Sequence, residues 1–233
     1  MDLIVSAPWA STVAVFDLET TGIDHETSRI VTAHVGLLGV DGTVLERREW
    51  LIDPGVEIPA GATAIHGITT ERARAEGMDP SAAVAEIVEA LRGHLAGGVP
   101  VVAYNAAYDL TILDREARRY GIEGVGAPAP IVDPYIIDKA VDRYRRGKRT
   151  LSVTAAHYGV TLDDAHDAGA DAVAAGRVAQ AIARAHPELA ALPAAELHAR
   201  QIEWSRQQAE SYQSWRRANG DPEFTTSGEW PVR

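Results

Sequence analysis

The sequence lacks cysteine altogether. It therefore forms no disulfide bond, no thiolate metal site and no cysteine nucleophile, and any metal ion must be held by oxygen or imidazole ligands. The absence also agrees with a reducing cytoplasm.

Long apolar segments are missing as well. Residues 1–9 have no basic residue ahead of their short apolar run, which makes them a poor signal peptide. No later run approaches the ~20 residues that cross a membrane. We therefore expect a soluble cytoplasmic protein.

Basic residues are scarce relative to acidic ones. The chain has 22 Lys and Arg against 33 Asp and Glu, a net charge of −11. This balance argues against a general nucleic-acid coating protein, which presents a basic surface to phosphate. It leaves a nuclease open, because bound divalent cations set the electrostatic field at a cluster of acids.

Length and composition indicate one core domain with an appendage. The 233 residues are 46% hydrophobic and 24% charged, which is ordinary for a globular protein with a buried core. The chain is longer than a usual domain of about 100–200 residues but too short for two full domains. We predict a core domain over residues 1–190 and a helical extension with a tail over residues 191–233.

The first third of the sequence predicts an antiparallel meander. Residues 13–16 are uncharged and apolar, residues 29–38 are β-branched and apolar, and residues 43–52 alternate loosely. Asp41 and Gly42 form a strong hairpin signal between the last two segments. The charged third strand is expected at an edge of the sheet.

The remainder alternates helices with short strands. Asp79 is expected to cap a crossover helix that stops at Gly97, and Asn105 is expected to cap a second helix. Strands are predicted at 99–104 and 128–132, a loop at 54–68, and further helices after Thr69, after Asp133, and at 151–158, 168–185 and 193–219. The fold class is therefore α/β, with a mixed five-stranded sheet flanked by helices.

Paired acids end the first strand. Asp17 and Glu19 are two residues apart, so in a strand their side chains point to the same face. Two carboxylates on one face suggest a cation between them. Asp109, in the first turn of a helix, and Asp171, in the last core helix, follow other elements that end at the same side of the sheet. Each acid alone would be an ordinary surface or helix-terminal charge.

Four motifs, in order, resemble the DEDDh family of 3′–5′ exonucleases, which includes the proofreading epsilon subunit of bacterial DNA polymerase and ribonuclease T. They begin at Asp17 (DLETTG), Ile65 (IHGIT), Asn105 (NAAYD) and His166 (HDAGADA). The similarity covers about residues 11–185. It implies a ribonuclease H-like fold and a metal-dependent exonuclease that releases nucleoside monophosphates from the 3′ end of DNA or RNA.

The resemblance also implies roles for the site residues. Asp17, Glu19, Asp109 and Asp171 would hold two Mg²⁺ or Mn²⁺ ions, which hard oxygen ligands favour. His166 would be the general base, because a histidine with a pKa near 6.5 can accept a proton close to neutral pH. Five residues along a continuous helix would turn His166 away from Asp171, so His166 is expected in the loop before the helix.

Substrate contacts carry over from the same motifs, with structural alternatives left open. The predicted substrate-binding residues are Leu18, Thr20, Thr21, His66, Ile68, Asn105 and Tyr108. Ile68 could instead belong to the core, and Tyr108 could stack on a base or pack internally. The basic run at residues 143–149 would clamp the strand backbone or solvate a helix end. The expected partners are a nucleic acid with a free 3′ end and a DNA polymerase or other replication or repair protein.

Two rival functions remain open. A haloacid-dehalogenase-type phosphatase also places an aspartate after an apolar strand. Its chemistry needs a second aspartate where this sequence has Glu19, and it also needs a lysine further downstream. A polymerase-binding or nucleic-acid-binding module would use the aromatic C-terminal helix as its surface. Packing of Trp204 and Trp215 onto the core is the preferred interpretation of that helix.

Overall fold

A mixed β-sheet forms the centre of the computed structural model, which describes residues 9–162 and 167–233. Its strands are β1 (Val13–Thr20), β2 (Ile30–Leu38), β3 (Val44–Leu51), β4 (Val101–Val102) and β5 (Ile131–Val132). The strand order is β3-β2-β1-β4-β5. β1, β2 and β3 are antiparallel neighbours, while β4 runs parallel to β1 and β5 runs parallel to β4. The predicted fold class, a mixed five-stranded sheet flanked by helices, is confirmed.

Helices cover both faces of this sheet. They are α1 (Ala60–His66), α2 (Thr70–Glu76), α3 (Pro80–Ala96), α4 (Ala107–Arg119), α5 (Pro134–Val141), α6 (Leu151–His157), α7 (Ala168–Ala185), α8 (Pro187–Ala190) and α9 (Ala194–Ala218). Within the described ranges, every helix is too short or too polar to span a bilayer.

Side-chain alternation along β1 divides the core into two layers. Phe16 packs with α3 and α4 on one face, whereas Val15 packs with α7 on the other. A Cβ atom at Gly176 would lie 2.5 Å from side-chain atoms of Val15 and Leu38, so glycine allows α7 to approach the sheet closely. Asp17 and Glu19 share the side of Val15, which directs them towards α7.

Short elements differ most from the sequence prediction. Residues 54–68 were expected to form a loop, but residues 60–66 are helical and end at Gly67, which has a φ of 75°. Pro59 and Gly61 resemble loop signals, and none of the seven residues of α1 is buried, so the helix has no apolar stripe to reveal it. β4 and β5 contain only two residues each, fewer than expected.

The C-terminal helix α9 packs against β5, the edge strand of the sheet, and against α5. His198 Nδ1 accepts the Ile131 N–H at 3.1 Å, and Gln201 Nε2 donates to the Ile131 carbonyl at 3.0 Å. Trp204 packs against both core layers, as predicted, but Trp215 is 58% exposed, so the packing prediction is wrong for that residue. The division into domains at residues 190 and 191 stays a prediction.

Candidate active site

Three carboxylates meet at the end of β1. Asp17 and Glu19 project from the strand, and Asp171 projects from the first turn of α7. One oxygen atom from each lies within 4.8 Å of the other two. The i, i+2 spacing in β1 thus has the predicted effect, because both side chains meet the helix that covers this face.

Asp109 joins the cluster through the backbone of β1. It is 3% exposed, and its Oδ1 accepts the N–H of Leu18 at 3.1 Å. Leu18 lies between Asp17 and Glu19, so this hydrogen bond fixes α4 against the part of β1 that carries both acids. The structure therefore brings together all four acids that the sequence singled out.

The concentration of negative charge disfavours ionisation of these acids. Burial raises the pKa of Asp17 well above its usual range, and the charges of Asp109 and Glu19 add to this effect. Burial also raises the pKa of Glu19 to about 7, with contributions from Asp171 and Asp167. Burial raises the pKa of Asp109 well above its usual range, although N–H donors partly oppose the shift.

A divalent cation fits this donor set. The ligands are hard carboxylate oxygens from two elements, β1 and α7, and they lie close enough together to share a metal ion. A bound cation would compensate the repulsion and burial that raise the pKa of Asp17. The described residues thus provide an acidic cluster of the kind predicted for Mg²⁺ or Mn²⁺.

The turn that leads into α4 is held by an acid from another strand. Asn105 was expected to cap α4, but it has a φ of 62° and α4 begins after Ala106, which makes no side-chain cap. Asp133, directly after β5, accepts the N–H groups of Asn105 and Ala106 at 2.9 Å each. Asp133 therefore positions the first turn of α4 and, with it, Asp109.

Asp133 also connects this turn to the C-terminal tail. Its Oδ2 accepts the indole N–H of Trp230 at 3.2 Å, and its own N–H donates to Gln201 at 2.6 Å. Burial raises the pKa of Asp133 to about 6 despite these donors. Sequence reasoning identified Asp133 only as a helix start and assigned no role to Trp230. These contacts span 68 and 97 positions, so no local pattern could have revealed them.

His166, the predicted general base, lies outside the described residues. The next described residue is Asp167, whose side chain accepts the Ala170 N–H at 2.9 Å and caps α7. Asp167 adds to the negative field on Glu19, a contribution that the sequence interpretation did not anticipate. The expected loop position of His166 stays a prediction.

Hydroxyl groups of two predicted substrate-binding residues bind each other. Thr20 Oγ1 lies 2.6 Å from Tyr108 Oη, and both oxygens are within 2.8 Å of the Gly22 carbonyl. Tyr108 is half-buried, packs against the core and meets His25 edge to face at 5.6 Å. In this structure the two hydroxyls tie the loop after β1 to α4.

The other predicted substrate residues occupy several environments. Leu18 and Ile68 are buried, at 4% and 8% exposure, so their side chains belong to the core. Thr21 Oγ1 accepts the Arg29 N–H and anchors the loop. His66, half-buried at the end of α1, has its pKa lowered by burial and partly restored by the Thr20 carbonyl. Their roles towards substrate stay predictions.

The basic run at residues 143–149 divides into structural and exposed cations. Asp138 in α5 is fully buried and pairs with Arg145 and with Arg149, the latter at 2.6 Å. Arg143, Arg146 and Lys148 are exposed. Arg145 and Arg149 therefore anchor the loop, and the three exposed cations are available to solvent.

Comparison with known proteins agrees with this geometry. The exonuclease family described as "RNase_T: Exonuclease" matches residues 14–179. A DNA polymerase III subunit epsilon-like protein of Rhodobacter capsulatus is 31% identical over 185 residues, 77% of this chain and 24% of that protein. DNA polymerase III PolC-type of Streptococcus thermophilus is 28% identical over 169 residues, 72% of this chain. The chain spans 11% of the length of that polymerase.

Solved structures show the same fold. E. coli exonuclease I in complex with a dA16 oligonucleotide is similar with a TM-score of 0.63 and 22% identity. The similarity covers 77% of this chain and 42% of that one. The matched family spans β1 to α7 and includes all four acids. The chain therefore belongs to the RNase_T exonuclease family, as its motifs predicted.

Proposed function

We propose that this protein is a metal-dependent 3′–5′ exonuclease that releases nucleoside monophosphates from the 3′ end of DNA or RNA. The observation that carries the proposal is the meeting of Asp17, Glu19 and Asp171 within 4.8 Å at the end of the central strand. Family membership supports hydrolysis of a phosphodiester bond, for which such a cluster is suited.

The proposed mechanism assigns the acids to metal binding. Asp17, Glu19 and Asp171 would hold two Mg²⁺ or Mn²⁺ ions, and Asp109 would support the leaving-group side. The chemistry supplied by such ions would be polarisation of the phosphate, activation of the attacking water and stabilisation of the leaving 3′ oxygen. Asp109 is held in position by its hydrogen bond from the Leu18 N–H, which fixes α4 against β1.

Proton transfer is assigned to His166. In this proposal the imidazole accepts a proton from the water that attacks the phosphorus of the last phosphodiester. As the new P–O bond forms, the bond between phosphorus and the 3′ oxygen breaks, and that oxygen takes a proton from solvent to become the new 3′ hydroxyl of the shortened strand. Asp167, the next residue in the sequence, fixes the start of α7 by accepting the Ala170 N–H.

Nucleic acid and a polymerase are the proposed partners. A similar solved structure contains a dA16 oligonucleotide, and similar sequences are DNA polymerase III chains. A polymerase-binding module without activity is the second candidate, supported by these same relatives. The four acids favour the enzyme, because a binding module has no need of them.

Matched substrates test this function. Single-stranded DNA and RNA carrying a 5′ label should shorten stepwise from the 3′ end in Mg²⁺ or Mn²⁺, with release of mononucleotides. The Asp17→Asn variant is the control for contaminating nucleases. Cleavage of a covalently closed single-stranded circle, or release of nucleotides from the 5′ end, would contradict the proposal. Polymerase binding without any hydrolysis would favour the second candidate.

A further inference from the structure

A groove of about 750 Å³ opens beside the active-site turn. One wall is α5 with the loop that follows it, and the other wall is α9. The tail contributes Thr226, Ser227, Trp230 and Arg233 to its lining. Most of the groove is therefore built by residues beyond 179, where the family match ends.

The charged lining of this groove is cationic. It contains Lys139, Arg143 and Arg233, together with Arg145 and Arg149, whose charges are largely balanced by Asp138 and Asp142. Among the described lining residues, Asp133 is the one acid, and its oxygens already accept hydrogen bonds from backbone and indole N–H groups. Such a cluster stands out in a chain with a net charge of −11. A cluster of cationic side chains is suited to binding a polyanion.

Exposed aromatic rings lie along the α9 wall. Trp215 is 58% exposed and Tyr212 is 46% exposed. Their rings are nearly parallel, with an interplanar angle of 13° and centroids 6.2 Å apart. On the α5 wall, Lys139 Nζ lies 4.6 Å from the centroid of the Tyr135 ring. Flat aromatic faces beside cations match the alternating bases and phosphates of a single strand.

The groove is poorly suited to an apolar peptide. Its aliphatic lining consists of Ile136, Ala107, Ala140 and Ala209 among the described residues. A helix-binding groove needs a continuous apolar floor for anchor side chains. Most of the lining side chains here are polar or charged, so a nucleic acid fits better than an apolar protein segment.

The groove borders the turn that leads to the candidate active site. Asn105 and Ala107 belong to its lining and to the turn that carries Asp109. Asp133 hydrogen-bonds both to Asn105 and to Trp230 in the groove. A strand whose terminal nucleotide lies at the acids can therefore continue directly into the groove.

We propose that this groove binds the single-stranded nucleic acid segment on the 5′ side of the terminal nucleotide. Lys139, Arg143 and Arg233 bind its phosphates. Trp215 and Tyr212 stack on its bases. The inference rests on the proposed exonuclease function, because that function supplies the nucleic acid strand. In this proposal the C-terminal helix and tail bind the substrate.

Oligonucleotide length is the experimental variable that tests this groove. Binding of 5′-fluorescein oligo-dT of 3 and 12 nucleotides is measured by fluorescence anisotropy in chelator, which separates binding from hydrolysis. Trp215→Ala should weaken 12-mer binding by about 5- to 150-fold, the worth of one base–aromatic stack. The ratio of 12-mer to 3-mer affinity should fall. Ile202→Ala, an exposed change on the same helix outside the groove, is the control and should bind as wild type.

Charge is tested separately. Arg143→Gln should reduce the slope of log affinity against log salt by about 0.7, the effect of one phosphate contact on a single strand. Arg184→Gln, an exposed arginine at the end of α7 outside the groove, makes the same charge change and should leave the slope unchanged. Melting temperatures of all four variants verify that they fold.

Several results would overturn the groove proposal. The first is that wild type binds the 3-mer and the 12-mer with equal affinity. The second is that Trp215→Ala and Arg143→Gln bind the 12-mer as tightly as wild type. The third is that the two control variants lose as much affinity as the groove variants. A protein-binding groove would give the second result. Hydrolysis in Mg²⁺ is scored independently. Hydrolysis with unaltered binding in the variants refutes only the groove, whereas groove-dependent binding without hydrolysis refutes only the proposed function.

Discussion

Asp109 and Leu18 are 91 positions apart in the sequence, yet the Asp109 carboxylate accepts the Leu18 amide proton at 3.1 Å. The bond places a buried acid beside the two acids of β1. It also occupies one oxygen of Asp109, whereas Asp17, Glu19 and Asp171 each place an oxygen within 4.8 Å of the other two. The position of Asp109 thus depends on the backbone of β1.

Substitution of Asp109 should separate its charge from its hydrogen bond. Asp109→Asn keeps an oxygen for Leu18 but loses the charge, so we expect activity to fall by about 10–100-fold or more. Metal-free stability should not fall, because the pKa of Asp109 is raised by burial and its ionised form is disfavoured. Asp109→Ala leaves the Leu18 amide unpaired and should lower the free energy of unfolding by about 1–3 kcal/mol. Chemical denaturation in chelator measures the stability of both variants. Equal stability of the two would contradict the structural role of the hydrogen bond between Asp109 and Leu18.

Metal binding should reverse the pH dependence that the acids impose. Glu19 has a pKa raised to about 7 in the folded metal-free protein, above its unfolded value of 4.5. The folded state therefore binds more protons between these values, and its stability falls as pH rises through this window. Cations favour the ionised form, so the increase in melting temperature caused by Mn²⁺ or Mg²⁺ should grow from pH 5 to pH 8.

Glu19→Gln is the control for this effect. It removes the titrating group, so in chelator its stability should decline less than that of wild type between pH 5 and pH 7. Metal-induced stabilisation that is constant across this pH range would show that Glu19 is not a ligand.

His166 and Asp17 should respond differently to substitution. If His166 is the base, His166→Ala should lower the single-turnover rate by about 10²–10⁴-fold while keeping metal-induced stabilisation. Asp17→Ala should lose both. Single-turnover cleavage beside metal titration by melting temperature distinguishes them. Loss of metal affinity in His166→Ala to the same degree as in Asp17→Ala would make the histidine a ligand or a structural support.

Arg145 and Arg146 are neighbours with different expected costs. Arg145 pairs with the fully buried Asp138 and, at 3.1 Å, with Asp142, whereas Arg146 is exposed. Arg145→Ala should cost about 1–3 kcal/mol, less than the ~3–5 for breaking a buried pair outright, because Arg149 still pairs with Asp138. Arg146→Ala should stay within about 0.5 kcal/mol. Equal unfolding free energies in urea would contradict the anchoring role.

Strong local signals made much of the fold predictable. The Asp41 and Gly42 turn joins two strands as expected, and the Asp79 cap begins α3. The acids of β1 follow from strand alternation alone. The boundaries of α7, at residues 168 and 185, also agree with the sequence prediction. In each case neighbouring residues carry the whole signal.

The features that escaped prediction depend on distant partners. The cap of the turn before α4 comes from Asp133 instead of Asn105, and Trp230 reaches Asp133 across 97 positions. Trp204 and Trp215 are the same residue type on the same helix, yet of the two only Trp204 packs against the core. No periodicity distinguishes them, because the difference arises from how α9 lies across β5.

Closure of the β5 edge by side chains restricts how the protein can assemble. His198 and Gln201 occupy the outward backbone groups of Ile131, and Gln201 also accepts the Asp133 N–H. Strand addition from a neighbouring chain is therefore blocked at β5. Among the strands in the described part of the chain, β3 is the other edge, and its charged residues 46–49 disfavour a sheet shared between molecules. A chain shortened to residue 190 would lose this protection and expose an edge able to seed self-association.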